Sequence, residues 1–113
     1  MTANILLAIT ALGGLAMAVI RFAGAERPPS WLAMLHGLLA GSALTLLLYA
    51  GFTIGIPRVV WAGVGLLVLA ALGGVALNLV YHARLLPLPK GIVVFHALLA
   101  VAGFGLVFAG SML

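Results

Sequence analysis

Apolar residues come in long uninterrupted runs along this chain, and polar residues gather in the short gaps between them. Four runs stand out: Asn4–Phe22, Ser30–Gly51, Val59–Tyr81 and Gly91–Ser111. Each is close to the ~20 residues with which a helix crosses ~30 Å of hydrocarbon. No stretch alternates apolar and polar with period two, which excludes the strands of a membrane barrel. Lipid offers the backbone no hydrogen-bond partners, so helices are the remaining solution. All five prolines (Pro28, Pro29, Pro57, Pro87 and Pro89) fall between the runs, where a missing N–H does least harm. Because the gaps are short, successive helices are antiparallel neighbours. The pattern predicts an all-α integral membrane protein, an up-down four-transmembrane-helix bundle forming a single domain over residues 1–113.

Composition removes the soluble alternative. Charged residues make up 5% of the 113 and hydrophobic ones 66%, whereas the surface of a small soluble domain is roughly a quarter or more charged. With no cysteine, disulfides, iron–sulfur clusters, thiolate ligation and covalent haem attachment are excluded. The net charge of +4 is too sparse for a nucleic-acid footprint.

The placement of charge orients the bundle. Arg21, Arg27, Arg84 and Lys90 flank the first and third gaps, and Arg58 alone marks the other side. Positive residues concentrate on the cytoplasmic side, so both termini are expected outside, in the inner membrane of a bacterium. Trp31 and Tyr81 fall at the inner interface, and Trp61 and Tyr49 nearer the outer one. Ala23-Gly24-Ala25 resembles a signal-peptide cleavage site, but no Lys or Arg precedes the first run. The run is read as a retained helix.

A shift of 60 positions lays the chain on itself. It matches Ala11-Leu12-Gly13-Gly14 to Ala71-Leu72-Gly73-Gly74, Pro29 to Pro89, and His36-x-Leu38-Leu39-Ala40 to His96-x-Leu98-Leu99-Ala100. The 14 identities among 53 aligned pairs are roughly twice what so biased a composition gives by chance. The rarer coincidence decides: a proline with a histidine seven residues on, each following a Gly-Gly helix. The chain reads as two tandem helical hairpins, about 4–51 and 59–111, related by a pseudo-twofold along the membrane normal.

That symmetry isolates His36 and His96. They lie on the second and fourth helices, diagonal and running the same way, at equal depth about 10 Å below the inner interface. Two facing imidazoles are the ligand set for a six-coordinate haem. Small residues follow them, Ala40 and Ala100 one turn on, leaving room for a flat ring. Gly13, Gly14, Gly73 and Gly74 let the facing backbones approach it closely. Arg21 and Arg84, with Ser30, stand at the inner rim, where propionates need charge-assisted donors. Other readings stay open: cross-helix hydrogen bonding as structural glue, or a different metal or quinone contact. Met17 and Met34 make copper conceivable, although packing is the better account of four methionines in a Leu/Ala-rich chain.

Ligand histidines on the second and fourth helices, with glycine on the first and third, resemble the haem-carrying four-helix bundle of the cytochrome b family of quinol-oxidising complexes. They are also similar to small di-haem b-type membrane cytochromes. The likeness covers most of the chain. It implies axial ligation of one haem b by His36 and His96, with Gly13, Gly14, Gly73 and Gly74 as packing positions. Those proteins hold a second haem on a second histidine per ligand helix about four turns on. Here the positions near Ala50 and Gly110 carry no ligand, so a single haem near the inner side is expected.

The remaining polar residues suggest less. His82 is read as an interfacial side chain without a repeat counterpart, its aligned residue being Phe22. Asn78 bonds a neighbouring helix, and Glu26 pairs with Arg27. Three functional classes follow. One is an electron carrier linked to quinone or a larger complex. Another is a cofactor-free accessory subunit of a respiratory-type membrane complex, or a homo-oligomer. A proton-coupled exporter needs a membrane-embedded carboxylate, and the only acid, Glu26, lies in a loop. No serine has an acid and base in pattern for a triad. An electron carrier or subunit is therefore expected rather than a free-standing enzyme.

Overall fold

The computed structural model describes residues 2–112; the two terminal residues of the predicted domain lie outside them. Four helices follow one another: α1 (Thr2–Phe22), α2 (Ser30–Thr53), α3 (Arg58–Ala76) and α4 (Lys90–Met112). A π-helical turn, Leu77–His82, continues α3 without interruption. All four are long and apolar enough to cross a membrane. The bundle measures 43 × 19 × 19 Å, as expected of helices rising 1.5 Å per residue.

Proline and glycine set the boundaries. Pro29 and Pro57 directly precede α2 and α3 in extended conformation, where a proline needs no N–H. Gly55, at φ 84°, turns the chain after α2, and its N–H bonds to the Ala50 carbonyl. The π turn has no such marker in the sequence; its i→i+5 bonding continues into Ala83 N–H to Asn78 O.

The neighbours around the bundle are α1–α2, α3–α4, α1–α4 and α2–α3, so α2 and α4 are diagonal. The tightest pair is α3–α4. There a Cβ on Gly63 would lie 2.7 Å from the Gly103 carbonyl oxygen, and one on Gly103 2.9 Å from that of Gly63. Only glycines permit so close an approach of backbones.

Two apolar clusters hold the ends. Near the termini, Leu7, Ala43, Leu47, Val60, Val64, Leu67 and Val107 form the larger. Beside the 23–29 and 83–89 loops, Leu77, Leu88 and Val93 form the smaller, with Ala18 and Tyr81 against them. The outward faces remain apolar: Leu12, Leu38, Leu72 and Leu98 are each more than 60% exposed. Such a surface suits hydrocarbon rather than water.

Candidate functional site

His36 and His96 meet between the two clusters. Their ring centroids stand 6.3 Å apart, with planes at 73°. Each ring is fixed within its own hairpin. His36 Nδ1 lies 2.9 Å from the Thr10 carbonyl oxygen on α1, and His96 Nδ1 lies 2.7 Å from that of Ala70 on α3. A carbonyl only accepts, so both Nδ1 atoms carry the hydrogen. In the neutral ring this leaves the lone pair on Nε2, the tautomer a metal-binding imidazole uses when its other nitrogen is held by a second-shell acceptor.

Glycine makes these bonds possible. In a helix the carbonyl of residue i points along the axis toward residue i+4, and Gly14 and Gly74 are four beyond Thr10 and Ala70. With no side chain there, the imidazole can reach the carbonyl's second lone pair. A Cβ on Gly14 would sit 2.9 Å from His36 Cε1, and one on Gly74 3.1 Å from His96 Cε1. Gly13 and Gly73 lie one step further off, 3.9 and 3.7 Å from the Nδ1 atoms by the same construction. The glycine pairs thus accommodate the imidazoles of their own hairpins.

A cavity of about 330 Å³ opens beside the histidines, on the α2–α3 side. His36, His96, Gly14, Gly74, Ala40 and Arg21 line it together with Met17, Gly37, Gly41, Ala71 and Asn78. Gly13, Gly73, Ala100 and Arg84 do not. Arg84 is exposed in the 83–89 loop, and Ala100 sits half-buried on α4. Met34 is 62% exposed, so Met17 and Met34 do not converge on one copper site. Among the described residues no group of three or more His, Asp or Glu side chains could hold a metal ion. A closed tetrahedral protein site is therefore not formed among the described residues.

Arg21 lies in the cavity wall, but its donors are partly engaged. Nε bonds the Leu88 carbonyl at 2.8 Å and Nη1 that of Ala25 at 3.3 Å. His82 also lines the cavity, and its Nε2 donates to the Pro28 carbonyl at 2.8 Å. Sequence reasoning gave His82 no counterpart; the structure puts its bond opposite that of Arg21, a correspondence no residue-by-residue alignment exposes. Glu26 pairs with Arg27 at 3.5 Å, as the sequence suggested.

No protein family, curated protein or solved structure matches this chain.

Proposed function

We propose that this chain is a b-type haem-binding membrane electron-transfer protein whose single haem is held by His36 and His96. One observation carries the reading: two imidazoles, each locked by an Nδ1–H bond to a backbone carbonyl, stand 6.3 Å apart beside a shared cavity. His36 and His96 are the residues that would hold the iron through Nε2, the ring nitrogen their Nδ1–H bonds leave with a free lone pair. The lining supports a flat apolar occupant: Ala40, Gly37, Gly41 and Ala71 leave space where larger side chains would fill it.

When bound, a bis-imidazole haem supplies one-electron transfer. The chain's own part is to hold and insulate. The Thr10 and Ala70 carbonyls fix the tautomer and aim of the two rings, and the apolar wall excludes water. The repeat reading, two tandem hairpins about 4–51 and 59–111, accounts for two equivalent ligands at equal depth. With the first and third loops cytoplasmic and both termini outside a bacterial inner membrane, the site lies ~10 Å from the inner face. About 20 Å of hydrocarbon stays uncrossed, so the electron partner is a quinone or a membrane complex rather than a carrier on the far side.

The test is the visible spectrum of protein purified from cells supplied with haem, oxidised and then reduced. One low-spin haem per chain is expected, with at least a tenfold lower content in His36→Ala and in His96→Ala. A chain without a Soret band would sink the proposal. A second reading has its own support: each Nδ1–H is already satisfied inside its hairpin, which suffices for a structural histidine in a cofactor-free subunit. Haem-free protein that co-purifies in a stable larger assembly would favour that reading.

A further inference from the structure

His36 is anchored on α1 and His96 on α3, so neither hairpin alone sets the distance between the rings. What sets it is how the hairpins join; one polar joint, Asn4 Nδ2 to Ser111 Oγ at 2.8 Å, lies near the termini, and the others are concentrated at the loop end. Arg21, on the helix that anchors His36, donates through Nε to Leu88, two residues before the helix that carries His96. His82, closing the helix that anchors His96, donates to Pro28, two residues before the helix that carries His36. The two bonds cross. Their acceptors, Pro28 and Leu88, are both buried and stand 60 positions apart.

The donors stand 61 apart, and the π turn accounts for the difference. A ring closed from i to i+5 encloses one residue more than an α-helical ring, so Leu77–His82 carries His82 into the place that Arg21 holds in the first hairpin. Two further bonds reinforce the joint: Leu88 N–H to Glu26 O at 3.1 Å and Arg27 Nη1 to Leu85 O at 2.9 Å. The latter holds Leu85, a non-glycine residue at φ 58°, in a backbone conformation that costs energy unless its surroundings impose it.

We infer that Arg21 and His82 are paired positioning residues whose crossed bonds to Leu88 and Pro28 set the separation of the two imidazoles. The consequence for a cofactor rests on the haem reading; the clasp itself does not.

The chain has no cysteine, so spin labels can be placed cleanly. Leu38→Cys with Leu98→Cys, both exposed and two residues beyond the histidines, reports the distance between hairpins. Leu12→Cys with Leu38→Cys reports the distance within hairpin one. In lipid-embedded protein without cofactor, Arg21→Leu and His82→Leu are each expected to shift or broaden the first distance by several ångström and leave the second unchanged. His82→Gln, whose amide nitrogen can take the place of Nε2 and donate to Pro28, restores the sharp distance. An unchanged distance between hairpins in the leucine variants would overturn the inference, as would His82→Gln behaving like His82→Leu. If a leucine variant does not fold, the same comparison is made with Arg21→Gln. Haem titration of these proteins keeps the two readings apart: distances that respond, with no haem bound by any variant, leave the clasp standing and remove the haem.

Discussion

The two hairpins treat their histidines alike and their helix contacts differently. In both, Nδ1 of the second-helix histidine bonds a carbonyl 26 residues earlier, and a glycine lies against the ring. Yet α3 and α4 touch backbone to backbone at Gly63 and Gly103, where the corresponding residues of α1 and α2 are Ala3 and Ala43. A π turn ends α3, and none occurs in α1. The imidazole anchorage is therefore not a by-product of one style of helix packing. It recurs on two different helix pairs, as a requirement placed on the ring itself would produce.

The largest effect that can break this comparison is at Gly63. A methyl there meets the Gly103 carbonyl at 2.7 Å and the Val107 nitrogen at 2.9 Å. Backbone cannot step aside as a side chain can, so the helices must separate. Gly63→Ala is expected to destabilise by about 1–3 kcal/mol, as overpacking does, in denaturant titration of the detergent-solubilised protein. The reciprocal change in hairpin one, Ala3→Gly, removes a partly buried methyl packed against the larger cluster and adds a helix-propensity cost of about 1 kcal/mol, with no steric clash. Equal losses would mean the hairpins are not packed differently.

A smaller effect tests what they share. Gly14→Ala places a methyl 2.9 Å from His36 Cε1, and Gly74→Ala one 3.1 Å from His96 Cε1. Here the obstacle is a side chain that can turn away, at the cost of its bond to the carbonyl. The expected loss is about 1 kcal/mol, the net worth of one hydrogen bond, and greater for Gly14→Ala. Imidazole ¹⁵N spectra would show the Nδ1–H bond weakened in the altered hairpin alone. Unperturbed imidazole signals would mean the glycines serve some other purpose.

Much of this was legible beforehand. Run lengths and prolines fix the helices, with the π turn counted as part of α3, to within two residues at either end, because an apolar run and a missing N–H are local features. The match of the chain to itself at a shift of 60 singles out His36, His96 and the two Gly-Gly pairs. Spacing alone does not say what fills the room a glycine leaves: Gly14 and Gly74 suggest space for a flat ring, and the imidazoles occupy it first. Nor does it tell which of 15 glycines touch across helices; Gly63 and Gly103 look no different from Gly65 and Gly105, which face open space. His82 stays hidden for another reason. Leu77–His82 holds no proline or glycine, so nothing in its composition records that the helix takes up an extra residue there.

The smallest effect sharpens the comparison at the anchor. Hairpin one offers its histidine the carbonyl of a threonine, and hairpin two that of an alanine. The Thr10 hydroxyl plays no part in the bond, being turned back on the Leu6 carbonyl at 2.7 Å. Thr10→Ala therefore gives the first anchor the residue of the second and leaves the accepting group in place. Some burial is lost, since Thr10 is 8% exposed, but alanine is the better helix former by several tenths of a kcal/mol. The net change should stay below about 1 kcal/mol, with the His36 Nδ1–H resonance unmoved. A resonance that moved as far as in Gly14→Ala would mean that the threonine side chain, and not the backbone it shares with Ala70, holds the ring.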